Sequence, residues 1–116
     1  MNDIYYIAIP YTWNTEKSFE ISNKVAALFI EDGITVFAPV SHSHPIAQYM
    51  SPEKLLDHGT WMNQDIPILK KCTKAILVMI GEDGDDLIKG SRGCQREIAE
   101  AKEYGIPIAY LLYEED

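Results

Sequence analysis

The stretch Ser91-Arg92-Gly93-Cys94-Gln95-Arg96-Glu97 is a small-residue loop that runs into a helix. Asp65 lies upstream, in Trp61-Met62-Asn63-Gln64-Asp65, on an earlier helix. Between them the apolar run Ala75-Ile76-Leu77-Val78-Met79-Ile80 reads as a buried strand. Helix with Asp, strand, loop, helix with Glu can bring two carboxylates to the carboxyl end of one parallel sheet. One ionised carboxylate and one carboxyl proton donor are what glycosidic bond cleavage requires. Glu97 falls about one turn into its helix, where the partial positive charge of the N-terminus favours an ionised, nucleophilic carboxylate. The plain alternative is a solvated helix glutamate, like Glu100 or Glu103. Asp65 has poor helix propensity, so it is either a functional group or a surface carboxylate.

Other candidates surround this pair. Ser91 and the backbone at Gly93 form an anion site at a helix start, or Ser91 is simply an N-cap. The loop is not a Walker phosphate loop, because no Gly-Lys-Ser/Thr follows at the required spacing. Tyr6 lies in the first strand and is partly core. Tyr11 and Trp13 lie just past that strand, where aromatic rings can stack on a base. His42, His44 and His58 lack the partners of a zinc motif, so they read as solvated or ligand-contacting, not as metal ligands. Cys94 has no partner histidine near it in sequence, which argues against a catalytic thiol. No metal or organic cofactor is called for.

The elements that must position these residues alternate along the chain. Ile4–Ile9 reads as a strand stopped by Pro10. Residues 14–32 read as a helix capped by Asn14 or Thr15 and stopped by Gly33. Residues 34–38 are a second strand ended by Pro39. Residues 39–50 read as a loop, and Ser51-Pro52-Glu53 as a helix start. A helix over about 60–71 follows, with a kink or break at Pro67. After the strand at 75–80, residues 81–89 read as an acidic loop, residues 91–104 as a helix, and 106–112 as the last strand. Glu114-Glu115-Asp116 reads as a polar end that frays. This alternation predicts an α/β fold with a parallel sheet of four to five strands, as one domain over residues 1–116. Ligands then bind beyond the carboxyl ends of the strands.

Composition narrows the function further. The formal net charge is −8 over 116 residues, which argues against a nucleic-acid polymer as partner. A local site can still hold one phosphate. No apolar run approaches the ~20 residues of a membrane span. Two cysteines and no signal-like start predict a reduced, cytoplasmic protein.

Tyr6-Ile7-Ala8-Ile9-Pro10, Asn63-Gln64-Asp65 and Ser91-x-Gly93-x-x-x-Glu97, in this order, resemble the nucleoside 2-deoxyribosyltransferase-like superfamily. That superfamily includes nucleoside 5′-monophosphate N-glycosidases, and the likeness points to a small bacterial and phage branch. The resemblance implies a flavodoxin-like three-layer sandwich. It implies that Glu97 attacks the sugar's anomeric carbon, that Asp65 assists departure of the base, and that Tyr6 orients Glu97. Nucleotide-cleaving members carry a serine six residues before the glutamate, on the 5′-phosphate, and Ser91 matches it. The expected ligand is therefore a nucleotide or nucleoside, gripped by Ser91, Gly93 and Arg92. Tyr11, Trp13 and His44 are expected around the base. The resemblance also implies a homodimer or higher homo-oligomer. The alternative is a non-catalytic nucleotide-binding sensor or sequestering module on the same fold. An NAD-cleaving, TIR-like enzyme is a third reading, under which Asp65 and Ser91 would match by accident.

Overall fold

The computed structural model describes residues 3–114, so Glu115 and Asp116, read above as part of a fraying end, lie outside the described residues. The strands are β1 (Ile4–Ala8), β2 (Thr35–Phe37), β3 (Lys74–Ile80) and β4 (Ile108–Tyr113). They form one sheet in the order β2-β1-β3-β4, with every pair parallel. Tyr6 stands opposite Phe37 on one side and Ala75 on the other. The chain therefore starts in the middle of the sheet and winds outward both ways. The strand order reverses between β1 and β3, which is where such sheets open a crevice at their carboxyl edge.

Five helices connect and cover the sheet: α1 (Thr15–Glu31), α2 (Pro39–Ala47), α3 (His58–Leu69), α4 (Gly84–Lys89) and α5 (Arg92–Glu103). Alternation along the strands sorts the core into two layers. Tyr6, Ala8, Ala75 and Leu77 pack on one face with Met62, Ile66 and Leu69 of α3 and Cys94 and Ala101 of α5. Ile7, Ile9, Ile76, Val78 and Ile80 pack on the other with Ile21, Val25 and Ala26 of α1. Leu77 and Val78 are fully buried on opposite faces, each worth ~1.5–3 kcal/mol of transfer free energy. The result is the flavodoxin-like three-layer sandwich that the resemblance implies, with four strands and no fifth among the described residues.

Capping follows the sequence closely. The Asn14 side chain accepts from the Lys17 N–H at 3.1 Å. Gly33, at φ +81°, turns the chain out of α1 in a conformation that other L residues rarely adopt. At Gly84 a Cβ would lie 2.8 Å from the Met79 Cβ, so only glycine lets α4 sit this close to β3.

Three segments differ from the sequence reading. Residues 39–47 form α2, not a loop, because Pro39 both ends the strand and occupies the first helical position. Ser51-Pro52-Glu53 lies in a turn, and α3 starts at His58 behind its cap Asp57, whose carboxylate accepts the Thr60 N–H at 2.9 Å. The acidic segment contains α4. Pro67 does not break α3, which runs on to Leu69. It sits in the last turn, where little helix remains to be lost.

Candidate active site

A cleft of about 450 Å³ opens beyond the carboxyl ends of β1 and β2. The β1 end contributes Ile9, Tyr11 and Thr12, and α2 contributes Val40, Ser43, His44 and Ala47. Asp65 of α3 and Ser91, Arg92, Gly93 and Glu97 at the start of α5 close the other side. The turn before α3 is pinned there by the Trp61 indole N–H, which donates to the Leu55 carbonyl at 2.6 Å.

Both carboxylates occupy core-facing helix positions. In α3 the buried residues are Met62, Asp65, Ile66 and Leu69; in α5 they are Cys94, Glu97 and Ala101. Spacings of three, four and seven put each carboxylate in the apolar stripe of its helix. The Tyr6 phenol, buried in β1, donates its O–H to Glu97 Oε2. Asp65 Oδ1 and Ser43 Oγ are buried with no hydrogen-bond partner. An unpaired buried polar atom costs about 1–3 kcal/mol. Both residues line the cleft, where a bound ligand can supply the missing partner.

Burial sets the protonation of the pair. The Glu97 pKa is raised from 4.5 to about 8, chiefly by burial; the Tyr6 hydrogen bond works against this rise and the charge of Asp65 adds to it. Burial alone raises Asp65 from 3.8 to about 6. Tyr6 is itself raised, first by burial and then by Glu97. The sequence argument from the helix N-terminus had Glu97 ionised; in the ligand-free protein the loss of hydration outweighs the helix dipole. The two carboxyls therefore hold one proton between them near neutral pH.

This has a consequence for stability. Both folded-state values lie above the unfolded ones, so their stabilising contribution is full below pH ~4. It is lost as pH rises through about 6 for Asp65 and about 8 for Glu97. Glu97→Gln keeps an acceptor for Tyr6 and removes the larger of these penalties. Its thermal midpoint at pH 8 is expected to exceed that of the unaltered protein by roughly 5–10 °C, with the gap closing by pH 4. Equal midpoints for the two proteins at pH 8 contradict the assignment.

Ser91 is the N-cap of α5 and accepts the Cys94 N–H at 3.1 Å. That bond uses a lone pair and leaves the hydroxyl proton free to donate to a ligand. Gly93 is not demanded by packing, since a Cβ there would meet Met62 at an ordinary 3.7 Å. Arg92 borders the cleft beside His58, whose pKa is lowered by burial and then by the Arg92 and Arg96 charges. The Asp57 carboxylate, which also lines this end, acts against the two cations.

Tyr11 and His44 meet at the α2 wall, with 2.6 Å between the phenol oxygen and Nδ1. Trp13 is not in the cleft. Its indole N–H donates to the Pro10 carbonyl at 2.9 Å, and it lines an adjoining recess with Asp86 and Leu87. His42 leans on Phe37, so the two histidines of His42-Ser43-His44 diverge. Cys94 is buried, which pushes its thiol pKa strongly up and away from nucleophilic use. His58, read from sequence as solvated or ligand-contacting, lines the cleft, whereas Ser43 and Glu16 were not singled out. Ser43 and Glu16 carried no signal, one lying in a segment read as loop and the other in an ordinary polar first turn.

The family model described as a domain of unknown function (DUF1937) matches residues 3–114. No curated protein matches the chain. Among solved structures it is similar to a 2-deoxyribosyltransferase from the psychrotolerant bacterium Bacillus psychrosaccharolyticus. The TM-score is 0.64 at 16% identity, covering 97% of this chain and 74% of that one. Among the described residues no helix is long and apolar enough to cross a membrane. The chain belongs to the DUF1937 family, and its fold is that of a nucleoside 2-deoxyribosyltransferase.

Proposed function

We propose that the protein cleaves the N-glycosidic bond of a nucleoside 5′-monophosphate through a glycosyl-enzyme intermediate on Glu97. The observation that carries this reading is that Tyr6-bonded Glu97 and Asp65 line one cleft at the carboxyl end of β1. Glu97 attacks C1′, the C1′–N bond breaks, and the base leaves with the proton of Asp65. Water or a second base then attacks C1′, Asp65 takes its proton, and Glu97 is released. Tyr6 is a positioning residue: its O–H on Oε2 lowers the cost of ionised Glu97 when the proton moves to Asp65. Ser91, the Gly93 backbone and Arg92 face the 5′-phosphate, combining a hydroxyl, helix-start N–H groups and a cation. Tyr11 and His44 take the base side. Likeness to a 2-deoxyribosyltransferase supports nucleoside chemistry on this fold.

A second reading, nucleotide binding without turnover, draws on one observation: Glu97 is held neutral in the ligand-free protein. Incubation with a panel of ribo- and deoxyribonucleoside monophosphates, followed by chromatography, separates the two. Free base and ribose or deoxyribose 5-phosphate, or base exchange when a second base is supplied, are expected. Nucleotide bound tightly but recovered intact favours the binding module.

A further inference from the structure

Behind Tyr11 a hydrogen-bonded chain runs through His44 to Glu16, a residue to which the proposed chemistry gives no role. The Tyr11 oxygen is 2.6 Å from His44 Nδ1, and His44 Nε2 is 3.0 Å from Glu16 Oε1. Phe19 stacks on the imidazole, with centroids 4.4 Å apart and planes at 24°. The imidazole is only 12% exposed, so its orientation is held. Three separate elements build this group: the segment after β1, the first turns of α1, and α2.

The directions of these bonds follow from which groups can donate. A carboxylate oxygen only accepts, so Nε2 carries the proton shared with Glu16. In the neutral ring Nδ1 is then an acceptor. With the ring neutral, Tyr11 gives its single proton to Nδ1 and its oxygen offers the cleft lone pairs only; a protonated ring would donate from Nδ1 and free the phenol proton. Burial and the Glu16 charge both raise the Tyr11 pKa, so the phenol keeps that proton.

We propose that Glu16, acting through His44, locks Tyr11 as a hydrogen-bond acceptor and so makes this wall of the cleft select a base edge that presents an amino donor. Glu16 and His44 are positioning residues, and Tyr11 reads the ligand. The choice of a nucleobase rests on the function proposed above: with C1′ at Glu97 and phosphate at Ser91 and Arg92, the Tyr11 wall is left for the base. The 4-amino edge of cytosine or the 6-amino edge of adenine satisfies the Tyr11 oxygen. The keto edge of uracil or hypoxanthine sets lone pair against lone pair and leaves both unsatisfied. Such a mismatch corresponds to about tenfold or more in affinity.

Two measurements test this. In the ligand-free protein, imidazole ¹⁵N shifts report the His44 tautomer, expected to be Nε2–H with Nδ1 accepting. Glu16→Lys replaces an acceptor-only group by a donor-only one and is expected to invert the tautomer. An Nδ1–H tautomer in the unaltered protein overturns the relay, whatever nucleotides do. Equilibrium binding is then compared within the pairs CMP/UMP and AMP/IMP, in ribo and deoxy forms. The amino member is expected to bind about tenfold more tightly, with the ratio lost or reversed in Glu16→Lys and lost in Tyr11→Phe. Using ratios cancels the added lysine's general attraction for phosphate. Equal affinities, an unchanged ratio in Tyr11→Phe, or no binding by any member overturns the selection. The glycosidic reading fails separately, when a nucleotide binds with the expected ratio and no base is released.

Discussion

Glu97→Ala is expected to abolish base release, lowering kcat by about 10³-fold or more, while Glu100→Ala stays within about twofold of the unaltered protein. The two glutamates lie on the same helix and differ in what they touch. Glu97 is buried in the cleft wall and receives the Tyr6 O–H. Glu100 lies outside the cleft and pairs with Arg96, Nε to Oε1 at 3.0 Å. Alanine at 97 removes the carboxylate proposed to bond to C1′. Asp65 lies on another helix and is assigned to the leaving base. Quenched reactions read by base release decide the matter, and a trapped glycosyl ester on Glu97 would add direct support. Base release that survives Glu97→Ala sinks the assignment.

The two carboxylates were legible as candidates from the order helix, strand, loop, helix and from the family resemblance, while spacing alone leaves each as readily a solvated surface group. In the fold both fall inside apolar stripes, Met62-Asp65-Ile66-Leu69 and Cys94-Glu97-Ala101, a burial that is costly unless it serves something. The strands were legible as apolar runs, since a sheet covered on both faces leaves no polar alternation. Helix α2 was not legible. Pro39-Val40-Ser41-His42-Ser43-His44-Pro45 has no apolar period, and its place is set by tertiary contacts such as Ser22 to Ser41 at 2.8 Å. With α2 hidden, Ser43 and the link from His44 to Tyr11 and Glu16 were hidden too. The resting charge of Glu97 was misjudged for a reason of magnitude. A helix N-terminus contributes roughly 0.3–1 kcal/mol to an exposed carboxylate, less than one pKa unit is worth. Burial is the largest of the causes that bring Glu97 from 4.5 to about 8, and no sequence pattern reports how dry a pocket is.

Asp65→Asn is expected to turn a bell-shaped pH dependence of kcat/KM into a single rising limb and to lower the maximal rate by about 10²–10⁴-fold. In the unaltered protein the carboxyl pair holds one proton between about pH 6 and about pH 8, and activity is expected to peak in that window. Below it both groups are protonated and no nucleophile exists; above it both are ionised and no acid remains. The two limbs belong to the pair and not to either residue alone. Asparagine keeps the shape of Asp65 but has no proton to give, so the falling limb disappears. The rising limb then reports Glu97 alone: it moves up from about pH 6 but stays below about 8, because a charge that raises Glu97 has been removed. A variant that keeps both limbs, or keeps the full rate, shows that the leaving base takes its proton from another group. The same dryness that makes a second charge costly is what keeps one proton in the pair at neutral pH. A more hydrated cleft would leave both carboxyls ionised and remove the acid.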